Sequence, residues 1–117
     1  MRLIAVFFCL FAFLAMPLWA AEAPVAGKVS IINLSDDHCM PCKMMGRMVA
    51  RMQEEYKDEL VALTINALEE RDIAARYSAR ILPTLVFFNR RGEEAERHVG
   101  IMEEEAMRSV IDRLLAE

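Results

Sequence analysis

Cysteine is scarce in this chain. Of its three cysteines, Cys9 lies inside an apolar run near the N-terminus, which leaves only Cys39 and Cys42 for a folded domain. A bridge between these two closes a tiny loop and constrains the unfolded chain little, so stapling a small exported fold is a poor use for them. Histidine is scarcer still, with only His38 and His98. A four-ligand zinc site built on the cysteine pair therefore has few partners to draw on, and ligation by His38 beside Cys39 demands awkward geometry. Cations do not cluster: 14 Lys and Arg face 18 Asp and Glu. No basic row exists to neutralise phosphates, which argues against nucleic acid as a partner. No nicotinamide or flavin motif is visible, and there is no repeat, linker or low-complexity tract.

The first twenty residues read as a leader. Arg2 supplies a positive start, LIAVFFCLFAFLAM an apolar stretch, and PLWAAEA a close in small residues, which is the signal-peptide pattern. Cleavage after Ala20 is the first choice; the Ala21-Glu22-Ala23 alternative places Pro24 after the cut. An uncleaved anchor is the rival, since the run from Leu3 to Leu18 falls just short of a bilayer span. The expected location is export to a bacterial periplasm, with inner-membrane anchoring if the leader is retained. Removing residues 1–20 leaves 97 residues (117 less 20) and 13 basic residues (14 less Arg2) against 18 acidic ones. That length allows one small domain. Residues 21–27 form a short lead-in and 28–117 the domain, expected to be a monomer.

Within the domain the elements follow from pattern. VSIINL (Val29–Leu34), bounded by SDD, is a buried strand, and LVALTI (Leu60–Ile65) a second. Between them, Met45, Met48 or Val49, Met52 and Tyr56 recur at helical spacing, predicting a helix over 41–59 that Pro41 opens. A short helix is expected over 66–78, with Leu68, Ile73 and Tyr77 facing inward. The run after Pro83 is a third strand, NRRGE a turn around Gly92, and EEAERHVG a polar edge strand ending at Gly100. The C-terminal helix carries the stripe Met107, Val110 or Ile111, and Leu114 or Leu115, with Glu103–Glu105 suiting its dipole. The order β-α-β-α-β-β-α implies an α/β fold with a mixed sheet of about four strands flanked by three helices.

HCMPCK (38–43) lies after a buried strand and opens a helix. Free N–H groups and the positive dipole end favour a thiolate there. Cys39, the outer residue, is the expected nucleophile, and Cys42, one turn further in, the resolving thiol of a mixed disulfide with a protein partner. Lys43 and His38 add positive character that Asp36 and Asp37 oppose. Copper(I) binding or delivery is the main rival, because soft ligands gather in His38, Cys39, Met40, Cys42, Met44, Met45 and Met48. Methionines at helical spacing are more often core filler. Zinc and an inert pair are further alternatives.

HCMPCK, the segment Ile81-Leu82-Pro83-Thr84, and the RRGE turn before a strand ending in Val99-Gly100 together resemble the thioredoxin family. The likeness covers about Val29 to Leu115. It implies the compact thioredoxin-like fold and protein thiol–disulfide oxidoreductase activity, with the Cys39–Cys42 disulfide as the redox group and no separate cofactor. Pro83 looks like the family's cis-proline. The backbone of Leu82 would then pair with an extended substrate, and Met40, Pro41, Leu82, Pro83, Val99, Gly100 and Ile101 would form an apolar docking surface. Two positions depart from the best-known members. His38 stands where they carry tryptophan, and Asn33 stands six positions before Cys39, where they bury an acid. The lysine that partners that acid is also missing; Ala62 or Leu63 lies around its place. Losing both charges together is consistent, since one alone would be costly to bury.

Proline before the second cysteine resembles the reducing members of the family. The expected partners are client proteins with disulfides or thiols. In an oxidising compartment, reduction would require a membrane-linked thiol electron donor.

Overall fold

A computed structural model describes residues 24–117. The elements run β1 (Val29–Ser35), α1 (Met40–Tyr56), a 3-10 turn (Lys57–Glu59), β2 (Leu60–Asn66), α2 (Arg71–Arg76), β3 (Thr84–Phe88), β4 (Glu94–Val99) and α3 (Glu104–Leu115). This is the expected β-α-β-α-β-β-α order. The strands form one mixed sheet in the order β2-β1-β3-β4, with β1 parallel to β2 and antiparallel to β3, and β3 antiparallel to β4. β1 and β3 are buried along their whole length. That is why both read as continuous apolar runs: a central strand covered on both faces has no side left for polar alternation.

The sheet divides the core into two layers. On one face Val29, Ile31, Leu85 and Phe87 pack against Met45, Val49 and Met52 of α1 and Met107, Val110, Ile111 and Leu114 of α3. On the other, Ile32, Leu34, Val86 and Phe88 meet Ile65 and Ala74, with Ile73 and Tyr77 against them. The α1 and α3 stripes match the predicted spacing. The second helix does not: it spans only Arg71–Arg76, and Leu68, expected to face inward, is exposed. Asn66 explains the difference. Its Oδ1 accepts from the N–H groups of Leu68 (3.1 Å) and Glu69 (3.3 Å), a side-chain turn that ends β2 and delays the helix.

Each sheet edge is protected differently. β4 carries Glu94, Glu96 and Arg97, and charge on an edge discourages pairing with other chains. β2 is guarded by Gln53, which reaches from α1. Its amide donates to the carbonyls of Leu60 (2.8 Å) and Lys57 (2.9 Å) and accepts from the Ala62 N–H (2.7 Å). Gln53→Leu should lower stability by about 1–2 kcal/mol, the cost of leaving such groups without protein partners near an edge. A denaturant midpoint shifted with an unchanged slope is the check.

α1 and α3 are also joined by ions. The Arg108 guanidinium donates to Glu55 (2.9 and 3.0 Å), Glu104 (3.0 Å) and Glu105 (3.0 Å), and Arg51 donates to Glu104 (2.9 Å). The Tyr56 hydroxyl donates to Asp112 (2.6 Å); desolvation, then this carboxylate, raises its pKa. The hydrogen bond from Arg108 holds the Glu55 carboxyl below its ordinary 4.5. A depressed carboxylate pKa contributes stability above the unfolded value and loses it as pH falls through the folded one. Arg108→Ala should therefore lower the neutral plateau of a stability–pH curve slightly, as expected for exposed pairs, and leave the acid end well below pH 4.5 unchanged, so that the acid limb becomes shallower.

The expected periplasmic location with possible inner-membrane anchoring is corrected. Among the described residues no helix is long and apolar enough to cross a membrane. The longer two, α1 and α3, are amphipathic, each with one buried stripe and a charged opposite face. The leader reading of residues 1–20 and its cleavage site lie outside the described residues.

Candidate functional site

The topology brings three segments to one end of the sheet. β1 ends at Ser35 and the chain passes through Asp36–His38 into α1. Leu34 at that end pairs with Thr84, the first residue of β3, and Thr84 pairs with Val99, the last of β4. Leu82-Pro83 and Gly100-Ile101 therefore flank the same end as the cysteine loop. The Leu82–Pro83 peptide is cis. Gly100 adopts φ +91°, in the region that favours glycine, and its N–H donates to the Pro83 carbonyl (2.8 Å).

Cys39 and Cys42 form a disulfide with their Cα atoms 5.1 Å apart. Cys39 is the N-cap of α1 and has extended backbone; its Sγ accepts from the Cys42 N–H (3.3 Å) and its carbonyl from the Lys43 N–H (3.1 Å). Sulfur thus takes the place usually filled by a serine or aspartate oxygen. Reduced, the same atom sits against free N–H groups at the positive end of a 17-residue helix, where negative charge is favoured. Cys39 is partly accessible and Cys42 fully buried.

The loop before the pair is held by two backbone N–H bonds, from Cys39 to the Asp36 carbonyl (3.2 Å) and from His38 to Asp36 Oδ1 (3.2 Å). His38 and Lys43 are exposed. Pro41 occupies the first turn, where no N–H is missed. Apolar side chains stand out at this end: Met40 is 64% exposed, Ile81 62%, Ile101 52% and Val99 51%. Pro83 is buried and Leu82 partly so, packed against the second core layer. Ile81 was not among the residues assigned to docking from sequence. Nothing in a lone isoleucine before Leu-Pro distinguishes it from core.

Asn33 is fully buried, and its Nδ2 donates to Thr64 Oγ1 (3.3 Å), the residue that it faces across the β1–β2 pair. Thr64 therefore stands where Ala62 or Leu63 was expected. Of the methionines that favoured copper, Met45 is fully buried, accepts the Met102 N–H at its Sδ (3.4 Å) and belongs to the core, with Met48 packed against it. His98 Nε2 lies 2.9 Å from the Ile101 carbonyl. Among the described residues no group of three or more His, Cys, Asp or Glu is placed to hold a metal ion.

Comparison with known proteins agrees with this geometry. The family model described as Thioredoxin matches residues 19–113. Thioredoxin-T of Drosophila melanogaster is 34% identical over 73 residues, which are 62% of this chain and 46% of that protein. The chain thus spans about half the length of that relative. The Thioredoxin of Pyropia yezoensis is 30% identical over 78 residues, covering 67% of this chain and 72% of its own. Among solved structures, a point mutant of the thioredoxin from Halobacterium salinarum NRC-1 superposes with a TM-score of 0.68 at 29% identity, covering 76% of each chain.

Proposed function

The chain belongs to the thioredoxin family, and from that premise we propose that it reduces protein disulfides by cycling Cys39 and Cys42 between dithiol and disulfide. The fold with its Cys39–Cys42 pair supports thiol–disulfide oxidoreductase activity in general. The observation that carries the finer reading is the placement of that pair: an accessible sulfur at a helix N-cap, backed by a buried one.

In the proposed cycle the Cys39 thiolate attacks a client disulfide, forming a mixed disulfide and releasing one client thiolate. Cys42 then attacks Cys39 Sγ, releasing the second client thiol and closing the Cys39–Cys42 bond. A donor dithiol returns two electrons and two protons. Leu82, ahead of buried Pro83, presents backbone to an extended client segment, and Met40, Pro41, Val99, Gly100 and Ile101 give that segment an apolar seat; Ile81 extends it. His38 and Lys43 tune the charge around Cys39. The partners are client proteins bearing disulfides and a thiol electron donor.

The direction of electron flow is tested by the reduction potential of the pair, equilibrated against glutathione or dithiothreitol. Thioredoxin itself, the reference for this fold, lies near about −270 mV, and strongly oxidising relatives near about −120 mV. A value at the low end is expected. One at the high end would reverse the assignment and make the protein a disulfide donor.

A further inference from the structure

Residues 100–103 join β4 to α3 and carry one rim of the client seat, the exposed side chain of Ile101. Three bonds fasten this short link. The Gly100 N–H donates to the Pro83 carbonyl (2.8 Å), which ties the link to the segment with the cis peptide. The Met102 N–H donates to Met45 Sδ (3.4 Å), which ties it to α1, and Met102 itself is buried in the core layer there. Between these two anchors stands Ile101, whose carbonyl meets His98 Nε2 at 2.9 Å. A carbonyl only accepts, so Nε2 carries the proton, in the neutral ring as in the imidazolium. His98 is the last residue but one of β4, opposite Leu85 of β3, and is half-buried. The strand ladder therefore fixes its backbone before the ring reaches forward. The donors of the first two bonds are main-chain groups that any residue but proline supplies. The third bond depends on this side chain.

We propose that His98 is a positioning residue for client docking: its Nε2–H holds the Ile101 carbonyl and so keeps Ile101 presented beside Pro83, where an extended client segment lies. The ring acts through Ile101. With that carbonyl released, the link keeps its two outer anchors, but Ile101 gains freedom that each binding event must remove. The cost falls on affinity for a client chain. It does not fall on sulfur exchange, because the first turn of α1 positions Cys39 and Cys42. The clients concerned are proteins whose chain runs past the reacting disulfide far enough to cover Ile101. A small disulfide with no flanking chain has nothing to place there. The inference rests on the client seat and the disulfide reduction proposed above.

The test compares wild type with His98→Leu, which cannot donate, and His98→Gln, whose amide nitrogen falls near the place of Nε2. With dithiothreitol as donor and insulin as client, His98→Leu should raise KM about three- to tenfold, the worth of one hydrogen bond. Its kcat should stay within about twofold of wild type, and His98→Gln should bring KM back to within about twofold. Reduction of cystamine, a disulfide without a flanking chain, and the glutathione equilibrium of the cysteine pair should match wild type in both variants. In nitrogen–proton correlation spectra the neutral wild-type ring should carry its proton on Nε2, and the methyl order parameters of Ile101 should fall in His98→Leu. An unchanged KM in His98→Leu, an equal rise in His98→Gln, or a proton on Nδ1 of the neutral ring overturns the proposal. A matching loss with cystamine overturns it too, since that would be general damage to the site. A wild type that reduces neither insulin nor cystamine speaks against the reductase reading instead; the brace then stands or falls on the imidazole and methyl signals, which need no client.

Discussion

Replacing Cys42 by serine is expected to turn a catalyst into a stoichiometric trap. Cys39 would still attack a client disulfide, but the buried position behind it would hold a hydroxyl unable to displace the client. A mixed disulfide should accumulate, one client per chain, linked at Cys39 and released by dithiothreitol. Cys39→Ser should yield no such adduct and should bring turnover down to the uncatalysed rate. The asymmetry comes from burial: Cys39 is accessible and Cys42 is not, while only a thiolate is a competent nucleophile. Non-reducing electrophoresis and intact mass of both variants with a disulfide-bearing protein decide it. Adducts forming equally well through Cys42 in the Cys39→Ser protein would reverse the assigned roles.

Phe87→Ala should be the most damaging change away from the cysteines. Phe87 is 0% exposed, lies opposite Ile31 across the β1–β3 pair, and belongs to the layer closed by Met107 and Ile111. Truncating a phenylalanine so enclosed costs about 3–5 kcal/mol, against about 5–15 kcal/mol for a whole domain. The denaturation midpoint should fall steeply. A loss below about 1 kcal/mol would mean that the layer collapses to fill the space, contrary to its packing here. Arg113, whose guanidinium pairs with Glu96 at the surface, offers a contrast: exposed pairs contribute about 0–1 kcal/mol.

Some elements were legible in the sequence because one physical requirement dominates each. β1 and β3 had to be apolar throughout, since both faces are covered. The turn before β4 was legible through Gly92, which adopts φ +78°, and Asn89, whose Oδ1 accepts from the N–H groups of Arg91 and Glu93 (both 3.0 Å). The cysteine pair announced itself by following a buried strand and opening a helix. What stayed hidden depends on register or on long-range approach. Asn33 meets Thr64 because β1 and β2 pair in one particular alignment, which no pattern within either strand alone reveals. Leu68 kept its helical spacing on paper but lost its place to the Asn66 turn.

The central claim is that Cys39 and Cys42 turn over protein disulfides, and insulin reduction tests it most directly. With dithiothreitol as donor, catalytic amounts of the purified protein should bring insulin to precipitation well ahead of the uncatalysed control, while the Cys39→Ser variant should match that control. A wild-type protein no faster than Cys39→Ser, and equally unable to oxidise a reduced test protein, would contradict the account.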